Sequence, residues 1–210
     1  MEIGLLFGTF NPIHNGHWLI AECAQQQFGL DKILFITSPN PPHRDDVLLE
    51  PEARHEMVCQ ALYGSPYFEA SDIELLRQGP SYTIDTVEEL EKKYPAGTRF
   101  NLILGEDNLL QLDSWQRAQD LAKKCRVLVA PRAALAPHSV HTKENHMIEL
   151  SEEAKEMQAK LPGLKVDAIN FAGIHLSSTQ VRENIKMGFP IDSFLPAPVA
   201  RIVNERGYYK

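Results

Sequence analysis

The stretch from Glu2 to His17 constrains the fold more than any other part of the chain. EIGLLF is an apolar run of strand length and Gly8 ends it. After the turn TFNPIHN, the residues Trp18, Leu19, Ala21, Ala24 and Phe28 recur at helical spacing up to Gly29. A buried strand feeding a glycine-containing loop and then a helix is the opening unit of a parallel α/β sheet, because parallel strands need a long crossover and a helix supplies it. In such a unit the loop and the first helical turn meet whatever lies beyond the end of the strand.

The alternation continues. Lys32 to Thr37 predicts a second strand, and SPNPPHRDDVLLE after it is too rich in proline and charge to be regular. Pro51 in a first turn, the periodic Met57, Val58, Ala61 and Leu62, and Gly64 beyond them mark a helix. Tyr67 to Leu75 alternates like a strand, and Ser81 to Tyr94 reads as a helix with acids early and lysines late. Phe100 to Leu104 is a strand closed by Gly105, Ser114 caps a helix running to Ala122, and Val127 to Ala130 is the next strand. Pro131 to Gly163 is the least legible segment, with one exposed helix expected in SEEAKEMQAK. A strand from Val166 to Ile169 leads to HLSSTQVRENIKMG, which has serine caps, a helical body and a terminal Gly188, and a last helix follows Pro198. No fixed-period repeat interrupts this order. The predicted class is α/β, a doubly wound parallel sheet with helices on both faces, whose ligands bind beyond the C-terminal ends of the strands.

The 210 residues, 43% hydrophobic, can bury one sizeable core, and the chain is assigned to a single domain over 1–210 with the last two helices packed on it. A net charge of −7 leaves no basic field of the kind that recruits nucleic acid, so any phosphate site must be local. No leader and no 18-residue apolar span is visible, which predicts a cytoplasmic protein without a membrane partner. Cys23, Cys59 and Cys125 lie in apolar stretches without a CxxC pair and read as buried, reduced thiols.

Two segments carry chemistry. In Gly8-Thr9-Phe10-Asn11-Pro12-Ile13-His14-Asn15-Gly16-His17, the glycine admits backbone N–H groups to a phosphate, and two imidazoles three residues apart at a helix start can face one ligand. The blander readings are two solvated histidines or half of a zinc site, and the place directly after the first strand weighs against both. In Leu176-Ser177-Ser178-Thr179-Gln180-Val181-Arg182, hydroxyls and freed N–H groups can hold phosphate oxygens while the guanidinium neutralises charge on a leaving group; alone, this could equally be an ordinary N-cap with a surface arginine. His138, His141 and His146 have no cysteine or carboxylate cluster beside them and read as solvent-facing, so no protein metal site is expected.

Together the two segments resemble the nucleotidyltransferase superfamily that carries an HxGH motif and a C-terminal ISSTxxR-like motif, here His14-Asn15-Gly16-His17 and Leu176 to Arg182. Within it, Pro41-Pro42-His43-Arg44, Gly79 to Thr86, Gly105-Glu106-Asp107 and Trp115 look like the bacterial nicotinate-nucleotide adenylyltransferases. The resemblance runs from Ile3 to near the C-terminus, departing at Phe7, where the family usually has a second glycine, and across Pro131 to Gly163. It implies a Rossmann-like nucleotidyltransferase fold, and it implies that Gly8, Thr9, Phe10, His14, His17, Gly105, Asp107, Ser178, Thr179 and Arg182 bind ATP, with His14, His17 and Arg182 catalytic. His43 and Arg44 would guide a phosphate, and Thr83 and Trp115 would form the acceptor pocket, the indole stacking on a pyridine ring. Asp107 as a turn residue, His43-Arg44 as solvated charge and Trp115 as core are the plainer alternatives.

The implied reaction is adenylyl transfer from ATP to nicotinate mononucleotide, with Mg²⁺ carried by the ATP and no dedicated carboxylate cage. Nicotinamide mononucleotide or phosphopantetheine as acceptor, or a nucleotide-binding sensor without turnover, are the alternatives. A nicotinamide-dependent oxidoreductase would need GxGxxG after the first strand, which is absent. The sequence leaves oligomeric state open, a homo-oligomer included.

Overall fold

The protein's computed structural model describes residues 1–39, 48–131, 151–171 and 176–210. The strands are β1 (Glu2–Gly8), β2 (Lys32–Thr37), β3 (Phe68–Ser71), β4 (Arg99–Gly105), β5 (Cys125–Ala130) and β6 (Lys165–Ala168). They form one six-stranded sheet in the order β3-β2-β1-β4-β5-β6, and the chain has the α/β class expected of it. The pairs β1·β4, β4·β5 and β5·β6 are parallel, with Leu5 opposite Leu102 and Leu102 opposite Val127. The order runs outward from β1 to β3 and then restarts on the other side of β1 at β4. Right-handed crossovers in opposite directions put helices on opposite faces, the doubly wound arrangement.

The helices are α1 (Asn15–Phe28), α2 (Pro51–Leu62), α3 (Thr83–Lys93), α4 (Glu106–Leu109), α5 (Ala118–Lys124), α6 (Glu152–Lys160), α7 (Ser178–Lys186) and α8 (Ala197–Arg206). Residue contacts group the chain into two compact units. One comprises Met1–Leu6, Ile20–Ile33 and Tyr82–Ile174; the other comprises Phe7–Leu19, Leu34–Ser81 and His175–Lys210. In the first, Ile3, Leu5, Leu102, Val87 and Leu128 are fully or almost fully buried; in the second, Phe35, Ile36, Met57, Val58 and Val199 are. The central strands read as continuous apolar runs because both of their faces are covered.

Several expectations shift. The strand expected over Tyr67 to Leu75 stops at Ser71, because Asp72 turns the chain, its carbonyl accepting from Leu75 and Leu76. No helix begins at Ser114. That residue ends a 3-10 turn over Leu112–Ser114, Trp115 is extended, and α5 starts only after Arg117 at φ 53. The segment SEEAKEMQAK is helical, yet Ala154 and Met157 are buried rather than exposed, while Ser151 caps it by accepting from Ala154 N–H. Of the three free thiols only Cys125 is buried; Cys59 lies on the outward face of α2 and is exposed. No described helix is long and apolar enough to cross a membrane. Pro41, Pro42, His43, Arg44, His138, His141 and His146 lie outside the described residues.

Candidate functional site

The loop between β1 and α1 sits at the end of β1, where the sheet order reverses. Gly8 is needed there for a packing reason the sequence did not reveal. A Cβ on Gly8 would stand 2.7 Å from the Phe10 ring, which folds back over it at φ 48 and is 2% exposed. Phe10 then packs edge-on against His17, ring centroids 5.1 Å apart, and tilted against Phe35 at 6.0 Å. Phe10 is thus the floor beneath the histidines.

His14 and His17 are stacked, centroids 3.7 Å apart at 23°. The His14 backbone N–H donates to His17 Nδ1 at 3.2 Å, and His17 N–H donates to His14 O at 3.0 Å. An Nδ1 that accepts leaves the ring proton of neutral His17 on Nε2, so the free end of that ring is a donor. Both rings are held neutral. Burial lowers the His14 pKa to about 4, and burial together with the charge His14 would carry pushes that of His17 well below its ordinary value. His14 Nδ1 is buried without a hydrogen-bond partner among the described residues, an orphan that a ligand atom can satisfy.

The second signature meets the first inside the same unit. Ser177 caps α7, its Oγ accepting from Gln180 N–H at 3.2 Å. Ser178 Oγ donates to Pro12 O at 2.9 Å, so its hydroxyl ties α7 to the loop, leaving backbone N–H groups of the first turn for an anion. Arg182 Nη1 donates to Asn11 O at 2.9 Å and Nη2 to the Thr179 hydroxyl at 3.4 Å. Gly8, Thr9, Phe10, His14, His17, Ser178, Thr179 and Arg182 therefore all belong to one constellation.

Sequence reasoning missed Arg54. It reads as one more polar position of α2, yet it is fully buried. Its guanidinium donates to four main-chain carbonyls: Nε to Leu49 O at 2.9 Å, Nη1 to Thr9 O at 2.5 Å and Ser38 O at 2.8 Å, and Nη2 to Pro39 O at 2.6 Å. No carboxylate pairs with it among the described residues. Burial lowers its pKa, but an arginine stays protonated at neutral pH, so a permanent cation is bonded to the loop between β1 and α1 at Thr9. Two guanidinium groups and the first turns of α1 and α7 make this spot electropositive in a chain of net charge −7, which suits a polyphosphate.

Thr83, Gly105, Asp107 and Trp115 lie in the other unit. Thr83 opens α3, whose N-cap Tyr82 is extended and makes no side-chain cap. Trp115 is half-buried after the 3-10 turn, its backbone N–H bonded to Leu112 O. Gly105 caps the short α4, and Asp107 is exposed in its first turn. Among the described residues no three His, Cys, Asp or Glu side chains cluster as metal ligands. A cleft of about 770 Å³ at the N-terminal ends of β4, β5 and β6 contains none of the candidate residues, and its Arg99 and Arg126 are paired with Glu2 and Asp167.

The fold and the site are a parallel sheet with a histidine-bearing loop and an arginine-bearing helix at the end of β1. The chain belongs to the cytidylyltransferase-like family, whose model matches residues 5–184. Two relatives of full length carry a more specific description. A probable nicotinate-nucleotide adenylyltransferase of Dehalococcoides mccartyi is 36% identical, with 100% of this chain and 97% of the relative covered. One from a Thermoanaerobacter species is 34% identical over 100% and 95%. Among solved structures, Plasmodium falciparum nicotinic acid mononucleotide adenylyltransferase complexed with NaAD is similar in fold, with a TM-score of 0.73, 17% identity, and 99% of this chain and 97% of that one covered.

Proposed function

We propose that this chain transfers the adenylyl group of ATP to the 5′-phosphate of nicotinate mononucleotide, giving deamido-NAD and pyrophosphate. The observation that carries the reading is the joining of both signatures in one electropositive site, Ser178 to Pro12 and Arg182 to Asn11, beside a histidine pair held neutral. The full-length likeness to nicotinate-nucleotide adenylyltransferases supports the choice of acceptor.

An acceptor phosphate is already ionised at neutral pH, so the reaction needs no general base. Its oxygen attacks the α-phosphorus in line, the new P–O bond forms as the bond to the β-phosphate oxygen breaks, and the electron pair leaves with pyrophosphate. The protein contributes placement and charge. His17, neutral and protonated on Nε2, donates to a phosphate oxygen; His14 offers the second imidazole; and Arg182 offsets the charge that accumulates on the leaving pyrophosphate. By the family resemblance, Gly8, Thr9 and Phe10 present backbone to the nucleotide, and Gly105 and Asp107 are further residues assigned to it. Mg²⁺ enters as part of the ATP substrate, keeping water and phosphate ligands. Thr83 and Trp115 hold the pyridine end, and His43 and Arg44 guide a phosphate. The substrates are free nucleotides of the cytoplasm, so neither nucleic acid nor a membrane is a partner.

The test is pyrophosphate release from ATP and Mg²⁺ with nicotinate mononucleotide, nicotinamide mononucleotide and phosphopantetheine in parallel. Release with nicotinate mononucleotide well above the others is expected; turnover with another acceptor alone changes the substrate, and silence with all three makes the chain a nucleotide sensor.

A further inference from the structure

The second signature holds the main chain of the loop between β1 and α1 at Pro12 and Asn11, but not the Asn11 side chain. Asn11, at the centre of that loop, is wholly buried and accepts from three distant partners. Its side-chain Oδ1 accepts the Tyr209 hydroxyl at 2.9 Å and the Leu49 N–H at 3.3 Å, while its main-chain carbonyl accepts Arg182 Nη1 at 2.9 Å. One residue thus links the segment after α8 to the guanidinium of the second signature.

That segment is itself pinned. α8 buries Val199, Ala200 and Val203, and Arg206 makes a two-armed pair with Glu56 of α2, 2.6 Å on each arm. Gly207 reverses the chain at φ 63, and Tyr209 follows at φ 67. A bulky residue adopts that left-handed conformation only where its surroundings compel it. Burial pushes the phenol pKa up, so the hydroxyl keeps its proton to donate, with Arg182 and Arg54 both close enough to act on it electrostatically.

We propose that Tyr209 is a positioning residue for adenylyl transfer, its hydroxyl fixing the Asn11 side chain and, through the Asn11 carbonyl, the seat of Arg182. The inference rests on the reading that Arg182 acts on the phosphates of ATP. Nothing in the chain's local pattern around Tyr209 points to this role; it arises from a contact across 198 positions.

The test compares Tyr209→Phe, which keeps the ring and removes the hydroxyl, in the wild-type and Arg182→Ala backgrounds. In the wild type the substitution is expected to lower kcat/KM for ATP by about 5- to 30-fold, since small misplacements of charged groups are felt in the transition state, and to leave KM for nicotinate mononucleotide within about twofold. In the Arg182→Ala background it should cost less than about twofold, because the group it positions is gone. Equal losses in both backgrounds, no loss in the wild type, or a fall in Tm with both KM values rising alike would each overturn the proposal. Arg182→Ala that leaves activity intact would instead overturn the role given to Arg182.

Discussion

His17 Nδ1 accepts the backbone N–H of His14 while the two rings stack 3.7 Å apart. This one hydrogen bond assigns the proton of a neutral His17 to Nε2 and turns the free end of the ring into a donor. A pair of imidazolium ions in that stack would repel, so the neutral state the burial imposes is also the one the geometry favours.

His14→Ala and His17→Ala should each lower kcat by roughly a hundredfold or more, with much smaller effects on the KM of the acceptor, because donors to the phosphates gain strength as charge moves onto them. Steady-state kinetics on both variants decide the matter. Near-normal kcat in both would remove the histidines from the mechanism.

The same burial makes stability depend on pH. His14 falls from an ordinary value of 6.5 to about 4 on folding, so between those values the unfolded chain binds more protons than the native one. Stability is then full above pH 6.5 and is lost as pH falls toward 4, by on the order of 3 kcal/mol from His14. Urea midpoints taken from pH 7 to 5 should decline, and less steeply in His14→Gln. An identical decline in the variant would mean that His14 is protonated as readily in the native state as in the unfolded one.

Arg54 should behave as a structural cation. Arg54→Met strands four carbonyls that now share one guanidinium, at Leu49, Thr9, Ser38 and Pro39, and should destabilise the fold by at least about 3 kcal/mol. Arg54→Lys keeps the charge without the planar fork and should fall between the two. Chemical denaturation gives the order; a methionine variant as stable as the wild type would refute it.

Trp115 is half-buried, neither core nor free surface. If its indole stacks on the pyridine ring, remote from the reacting phosphorus, Trp115→Ala raises KM for nicotinate mononucleotide and leaves KM for ATP where it was. A drop in Tm with both KM values unchanged would return the residue to the core.

If the start of α3 holds the pyridine end, it should select nicotinate over nicotinamide. Tyr82 provides no side-chain cap, so N–H groups of the first turn and the Thr83 hydroxyl remain to donate to a carboxylate, and an amide would turn its own donors against them. Asp85 would repel a carboxylate, but its side chain is partly exposed, 4.0 Å from the Arg117 guanidinium that pairs with Glu88 and Asp120, and solvent screens it. The acid should therefore win by about tenfold to a few hundredfold in kcat/KM. Equal turnover of the two mononucleotides at subsaturating concentrations would contradict this.

Local pattern was enough for the order of the strands and the longer helices, though not for the short α4, because the signals that set it act within a few residues. Gly8 and Gly29 bound the first loop and helix, Pro51 opens α2, and Lys92 and Lys93 close α3. The same locality placed His14 and His17 just beyond β1. It failed where geometry rather than composition rules: Ser114 looked like a helix cap, and the chain instead resets its direction at Arg117.

Tertiary structure alone decided the roles that depend on distant partners. Ser178 reaches Pro12 across 166 positions, Arg182 reaches Asn11 across 171, and Arg54 reaches Thr9 across 45. An arginine on a helix or a tyrosine near Lys210 carries no mark in the sequence of what it will meet, since the surrounding periodicity reports burial of a face and not the identity of the group it is buried against. The types of residue available for phosphate chemistry were therefore legible in the sequence. The proton on His17, the buried charge of Arg54 and the hold of Tyr209 on Asn11 exist only once the fold has brought those groups within hydrogen-bond range.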